Sequence, residues 1–261
     1  MKYKALMLDV DGTIIPYEYD ALPTQKVIDA IRKAREKGII VCLVTGRALE
    51  STEHILKTLG LISGIVVTNG GGAVFDIATK KPLYLQPIEK KDSDRIIELL
   101  RSENIEFFVK KNMFDGANSR GPFTTKDTYE EAYMIFADEY YEHDKIVRVF
   151  NELTNNPNLT LHKTRHKDPQ KYGLNVTHAK ATKLHGIEII MKHYGLKKDE
   201  IIGVGDGYND FPLLMASGLK IAMGNAIDDL KEIADYIAPS VTEDGVADII
   251  NRYILTDTLS L

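Results

Sequence analysis

Two aspartates near the N-terminus are the residues of this sequence best placed to do chemistry. Asp9 and Asp11 alternate with Val10 and follow the mostly apolar run at residues 4–8. Such a run predicts a buried parallel strand, so both carboxylates come at the C-terminal end of that strand. Ligands of open α/β sheets bind in the crevice outside these strand ends. The pair therefore predicts a site, although a solvated turn ending at Gly12 is the alternative for these residues taken alone.

Other predicted strands also end in polar residues. These are Thr45, Gly46 and Arg47 after residues 39–44, Asn69 and Gly70 after residues 64–68, and Asp206, Asn209 and Asp210 after residues 200–204. Converging carboxylates repel one another unless a cation joins them, and a set of oxygen ligands selects a hard ion such as Mg²⁺. Because protein-bound Mg²⁺ commonly also contacts a substrate phosphate, the pattern predicts a magnesium site that accepts a phosphorylated ligand.

A lysine would complete such a site for phosphoryl transfer, because that reaction depends on positioning and on neutralising the charge of the transferred group. Lys183, near the start of a helix predicted over residues 181–194, is the candidate, and Lys180 competes for the role. We favour Lys183 because it lies at the start of the helix and is followed by Gly186. An exposed surface lysine is the alternative interpretation.

Length and composition limit the classes of protein and partner. At 261 residues the chain is long enough for two domains, and its net charge of −5 argues against nucleic acid or an anionic membrane as a partner. No stretch approaches the roughly 20 apolar residues of a membrane span, and no signal peptide is evident, so we expect a cytoplasmic protein. Cys42, the single cysteine, lies in an apolar run and is expected to fill space in the core.

The order of the predicted elements indicates an α/β fold that is interrupted by a second domain. Strands and helices alternate up to residue 68 and again from residue 181, which predicts a parallel sheet with right-handed crossovers. The intervening segment does not alternate, and it includes two helical stretches predicted between Thr128 and Leu153. We therefore predict a Rossmann-like core from residues 1–85 and 178–261, with an inserted α+β domain over residues 86–177.

Four of these motifs occur in the order and spacing of haloacid dehalogenase superfamily phosphatases. They are Asp-Val-Asp-Gly-Thr at 9–13, Val-Thr-Gly-Arg at 44–47, Lys183 before a helix, and Gly-Asp-Gly-Tyr-Asn-Asp at 205–210. The long insert, Met-Gly-Asn-Ala at 223–226 and Glu-Asp-Gly-Val-Ala at 243–247 resemble the Cof-type branch, subfamily IIB, which carries a C2-type cap domain. On this resemblance the sequence is identified as a member of the family over its whole length.

The resemblance implies a role for each candidate residue. Asp9 would be the nucleophile that forms an aspartyl-phosphate, and Asp11 would act as the acid and then as the base. The phosphoryl oxygens would be bound by Thr45, Gly46 and Lys183. The substrate would be contacted by Arg47, Asn69, Gly70 and Asn209. Mg²⁺ would be bound by Asp9, the Asp11 carbonyl, Asp206 and Asp210. Asp210 would bind the ion directly or through water. A helix cap is the structural alternative for Arg47.

The expected activity is magnesium-dependent hydrolysis of a small phosphorylated metabolite, either a sugar phosphate or a phosphorylated cofactor. Two alternatives stay open: a sugar phosphomutase that shares the aspartyl-phosphate step, and a catalytically silent metabolite-binding protein. In the inserted domain, Phe114, Phe123 and Tyr129 would line the specificity surface or belong to the core. The sequence predicts neither the individual substrate nor the oligomeric state.

Overall fold

The structure is a computed structural model that describes residues 2–18, 20–111, 124, 127–165 and 171–256. The chain forms two compact units, one from Met1–Tyr84 and Thr182–Leu261 and the other from Leu85–Ala181. Of the aromatic residues expected to line a specificity surface, Phe114 and Phe123 lie outside the described residues.

The described residues form twelve strands and eight α-helices. The strands are β1 (Ala5–Leu8), β2 (Ile40–Leu43), β3 (Ile65–Thr68), β4 (Ala73–Asp76), β5 (Pro82–Leu85), β6 (Phe108–Lys110), β7 (Met134–Glu142), β8 (Leu159–Arg165), β9 (Lys171–His178), β10 (Ile201–Gly205), β11 (Leu219–Ala222) and β12 (Tyr236–Ile237). The helices are α1 (Gln25–Glu36), α2 (Leu49–Thr58), α3 (Lys90–Ser102), α4 (His143–Leu153), α5 (Lys183–Tyr194), α6 (Phe211–Met215), α7 (Asp228–Glu232) and α8 (Gly245–Ile250). Within these ranges, every helix is too short or too polar to cross a membrane.

A parallel sheet of five strands, in the order β12-β11-β10-β1-β2, forms the centre of the first unit. Strands β1 and β10 are buried along their whole length, as expected for parallel strands covered on both faces. Leu8, the last residue of β1, pairs with Val204 of β10 and with Leu43 of β2. The residues that follow these three strands therefore meet at one edge of the sheet. The predicted parallel α/β core is confirmed.

Strand β3 joins this sheet less completely than the sequence predicts. It pairs in antiparallel fashion with β4 in a separate three-stranded sheet, and a single parallel bridge between Val44 and Val67 connects it to the end of β2. The amide of Thr45 donates a hydrogen bond of 2.9 Å to the carbonyl of Val67. The loop after β3 consequently lies beside the residues that follow β2.

The second unit is an α+β structure. Its four strands form an antiparallel sheet in the order β6-β7-β9-β8, and α3 and α4 pack against this sheet. The buried residues of its core come from both helices and from the sheet, and they include Ile96, Leu100, Ile146, Val149, Ile135 and Val176.

One secondary-structure prediction in this unit is wrong. The sequence predicts two helical stretches between Thr128 and Leu153, but Met134–Glu142 forms β7, and within this range only α4 is an α-helix. Ile135 and Ala137 are buried while Phe136 is only partly buried, so burial alternates with the period of two that a strand requires. The helix-favouring residues that precede this alternation obscured it in the sequence.

Candidate active site

Two carboxylates approach each other because they follow neighbouring strands. Asp9 comes directly after β1, and its amide donates a 3.0 Å hydrogen bond to the carbonyl of Val204 in β10, the strand that leads into Asp206. The close approach depends on Gly12, whose φ is +78°. A Cβ at Gly12 would lie 2.2 Å from Oδ2 of Asp206, so only glycine fits there.

Asp9, Asp206 and Asp210 form a buried cluster in which one carboxylate oxygen of each lies within 4.8 Å of the others. Lys183 is also buried, and its Nζ lies 2.5 Å from Oδ1 of Asp9 and 2.6 Å from Oδ1 of Asp210. Lys180, the competing lysine, is exposed. The structure thus joins residues that are up to 201 positions apart in the sequence around one ammonium group.

The start of α5 places Lys183 in this cluster. Thr182 caps the helix, and its Oγ1 accepts a hydrogen bond from the amide of His185. The N-terminus of a helix carries partial positive charge, so a lysine there is unfavourable unless nearby carboxylates offset the charge. Asp9 and Asp210 offset it here. Gly71, in the loop after β3, packs so closely against the helix start that a Cβ would lie 1.9 Å from the carbonyl oxygen of Thr182.

The electrostatics of the cluster favour uptake of positive charge. Burial, together with the neighbouring Asp210 carboxylate, raises the pKa of Asp9 to about 8 despite its contact with Lys183. Burial likewise raises the pKa of Asp206 to about 6. Burial alone lowers the pKa of Lys183, but the carboxylates of Asp210 and Asp9 outweigh that effect and raise it. Three carboxylates face one ammonium group, so a divalent cation would balance the charge of the ionised cluster.

Both carboxylate oxygens of Asp210 are engaged in hydrogen bonds. Oδ2 accepts from the amides of Asp206 and Gly207, each at 2.9 Å, and Oδ1 accepts from Lys183. A Cβ at Gly205 would lie 2.4 Å from Cγ of Asp210, so glycine is required for this packing as well. Asp210 therefore holds the turn that carries Asp206 and anchors the lysine.

Asp11 lies apart from this cluster and pairs with Arg47. The guanidinium donates from Nε to both oxygens of Asp11, at 3.1 and 2.9 Å, and from Nη2 to Oδ1 at 2.6 Å. Such a two-point contact fixes the orientation of the carboxylate as well as its charge. The sequence provides the two residues separately but contains no signal that they pair.

The loops after β2 and β3 hold each other in place. The carbonyl of Thr45 accepts a 2.9 Å hydrogen bond from the amide of Gly70, and the carbonyl of Arg47 accepts one of 2.7 Å from the amide of Asn69. Asn69 adopts a left-handed φ of +52° and is buried, as is Thr45. Gly46, like Asn209 in the turn after β10, is exposed.

Sequence reasoning missed two residues that contact Asp206. The hydroxyl of Thr13 donates a 3.1 Å hydrogen bond to Oδ1 of Asp206, and the phenol of Tyr17 donates to Oδ2. Burial and this bond to a carboxylate both raise the pKa of Tyr17. Membership of the first motif could have pointed to Thr13, whereas no local pattern indicates Tyr17.

Residues 6–250 match the family of haloacid dehalogenase-like hydrolases. The chain belongs to this family. Among curated relatives, it is 28% identical to the 5-amino-6-(5-phospho-D-ribitylamino)uracil phosphatase of Bacillus subtilis, over 97% of this chain and 96% of the relative. It is 25% identical to phosphoglycolate phosphatase 1 of Saccharolobus solfataricus, over 96% of each chain.

Solved structures of haloacid dehalogenase-like proteins share the fold. A haloacid dehalogenase-like hydrolase from Bacteroides thetaiotaomicron superposes with a TM-score of 0.79 at 23% identity, covering 96% of this chain and 99% of that one. A sugar phosphatase of subclass IIB superposes with a TM-score of 0.74 at 22% identity, covering 96% and 98%. The predicted family and fold are confirmed. The predicted enzyme class is confirmed at the family level: the protein is a hydrolase whose curated relatives include phosphatases.

Proposed function

We propose that the protein is a magnesium-dependent phosphatase that hydrolyses a small phosphorylated metabolite through an aspartyl-phosphate on Asp9. The observation that carries this proposal is the buried contact of Lys183 with both Asp9 and Asp210. The ammonium group of Lys183 contacts one oxygen of Asp9. The Asp9 carboxylate thus stays at the C-terminal end of β1, which is where ligands of such sheets bind. The phosphatases among its relatives act on phosphorylated small molecules, which supports the same substrate class here.

In the first step, an oxygen of Asp9 attacks phosphorus and the bond from phosphorus to the ester oxygen breaks. Asp11 gives a proton to the departing oxygen. In the second step, water attacks phosphorus, Asp11 takes its proton, and the bond to Asp9 breaks to release phosphate. In the structure Arg47 occupies both oxygens of Asp11, so this contact has to open before Asp11 can carry and give up a proton. Arg47 is then released to contact the substrate.

The charge of the cluster fits a divalent cation, and Mg²⁺ is the ion that we propose. Side-chain oxygens of Asp9 and Asp206 and the carbonyl of Asp11 would hold it, while Asp210, whose oxygens are already engaged, would act indirectly. When bound, Mg²⁺ supplies positive charge against the phosphoryl oxygens. Thr45, the Gly46 amide and Lys183 would bind those oxygens from the protein side.

The proposal also assigns a role to the second unit and, separately, to loop residues of the core. We propose that residues 86–177 act as a cap domain and that Arg47, Asn69, Gly70 and Asn209 contact the substrate. Tyr129 is partly buried in the second unit and packs against its core cluster, which favours a structural role for this residue. The cytoplasmic location remains a prediction.

A panel of phosphate esters tests the proposal. We expect wild-type protein with Mg²⁺ to release phosphate from at least one sugar phosphate, flavin mononucleotide or pyridoxal phosphate, and Asp9→Asn to release none. Turnover that persists in Asp9→Asn would exclude this residue as the nucleophile. Isomerised hexose phosphate without free phosphate would instead identify a phosphomutase, and binding without any turnover would identify a silent metabolite-binding protein.

A further inference from the structure

The segment after β11, residues 223–227, runs beside the turn that carries Asp206. The amide of Met223 donates a 3.0 Å hydrogen bond to the carbonyl of Gly205, and the amide of Ile227 donates one of 3.0 Å to the carbonyl of Asp206. Two backbone hydrogen bonds therefore fix the position of this segment relative to the turn that carries Asp206.

The side chain of Asn225, in the same segment, contacts the turn that follows β1. Its Nδ2 donates a 2.8 Å hydrogen bond to the carbonyl of Gly12, and its Oδ1 accepts one of 2.8 Å from the amide of Val241. Gly12 lies between Asp11, whose carbonyl is a proposed metal ligand, and Thr13, whose hydroxyl donates to Asp206. The side chain of Asn225 thus connects the turn at Asp9–Thr13 to the segment that is hydrogen-bonded to the turn at Asp206.

We propose that Asn225 is a positioning residue that sets the spacing between the turn at Asp9–Thr13 and the turn at Asp206, and through that spacing the affinity for Mg²⁺. This inference rests on the proposed function, because it assumes that the two turns share an ion. Groups that orient metal ligands without touching the ion commonly change metal affinity about 10–100-fold when they are removed. Asn225 is exposed, so truncating its side chain leaves no buried cavity and should spare the fold.

Two substitutions at Asn225 separate its two hydrogen bonds, and a third at Val241 serves as a matched control. Asn225→Ala removes both bonds. Asn225→Asp can still accept from the amide of Val241 but turns an oxygen towards the carbonyl of Gly12. Val241→Pro removes only the bond to the amide, and it does so at the first position of a short 3-10 turn, after an extended Ser240, where proline fits.

Titration of the metal-free proteins with Mg²⁺ in a calorimeter gives affinities that do not depend on turnover. We expect Asn225→Ala and Asn225→Asp to weaken Mg²⁺ binding about tenfold, and Val241→Pro to bind as the wild type does. The substrate KM at saturating Mg²⁺ should stay near the wild-type value in all three. Melting temperatures in EDTA should also change little.

Unchanged Mg²⁺ affinity in both Asn225 variants would overturn the inference, and so would an equal loss of affinity in Val241→Pro. A lower melting temperature in EDTA with wild-type affinity would overturn it too, because Asn225 would then be purely structural. Failure of the proposed function looks different: the wild-type protein itself would show no magnesium-dependent release of phosphate.

Discussion

Replacing Lys183 with methionine removes the charge that holds the buried carboxylates together while keeping most of the side-chain volume. Asp9 and Asp210 would lose their contacts of 2.5 and 2.6 Å with the ammonium group. Removing one partner of a buried ion pair typically destabilises a protein by about 3–5 kcal/mol. Uptake of a proton by Asp9, whose pKa is already about 8, would relieve part of the repulsion. We therefore expect the metal-free variant to lose roughly 3 kcal/mol of its free energy of unfolding.

Urea unfolding in EDTA and in Mg²⁺ measures this loss, and phosphate release measures its effect on turnover. Mg²⁺ should stabilise Lys183→Met more than it stabilises the wild-type protein, because the ion supplies positive charge that the variant lacks. We expect kcat to fall by about 10²–10³-fold or more, the typical effect of removing a group that stabilises transition-state charge. Lys180→Met is the matched control, since Lys180 is exposed.

The reasoning would be refuted if Lys183→Met and Lys180→Met unfolded in EDTA at the same free energy. Surface substitutions usually change stability by no more than about 0.5 kcal/mol, so the two outcomes are well separated. A Lys183→Met variant with near wild-type kcat would also refute the assigned role of the ammonium group, whatever its stability.

Two further predictions concern the loop after β3 and the dependence of stability on pH. Gly71→Ala, which places a methyl group against the carbonyl of Thr182, should lower the free energy of unfolding by about 2 kcal/mol or more. Gly70→Ala meets no atom within 4 Å and should cost only about 1 kcal/mol of backbone strain; equal losses in urea unfolding would contradict this. In EDTA, the free energy of unfolding should fall as the pH rises from about 4 to 8, because the folded state keeps a proton on Asp9 that the unfolded state releases. In Asp9→Asn, the free energy of unfolding should fall less steeply over this pH range, which melting curves at several pH values would measure. A fall as steep as that of the wild type would show that groups other than Asp9 cause the pH dependence.

Some of the site could be predicted because it follows directly from strand ends. Asp9, Thr45 and Asp206 each follow a short apolar run, and parallel strands bring such ends to one edge of the sheet. Lys183 could be preferred over Lys180 because it lies at the start of a helix that the sequence pattern predicts. These inferences use spacing along the chain and the rules of sheet topology, both of which are visible in the sequence.

Other features depend on contacts that no local pattern encodes. The pairing of Arg47 with Asp11, the bond from Tyr17 to Asp206 and the bond from Asn225 to Gly12 join residues that are 36, 189 and 213 positions apart. Each of these bonds joins residues from distant parts of the sequence, so it depends on tertiary packing and not on a local pattern.

The sequence by itself determined the family, the alternating α/β core and the acids that follow its strands, because periodicity and motif order are properties of the chain. Only the tertiary structure decided that β7 is a strand and that one buried ammonium serves two carboxylates, since both depend on partners distant in the sequence. The tertiary structure also decided which glycines are indispensable. At Gly12 and Gly71, the reason is the atom that a Cβ would meet from another part of the chain.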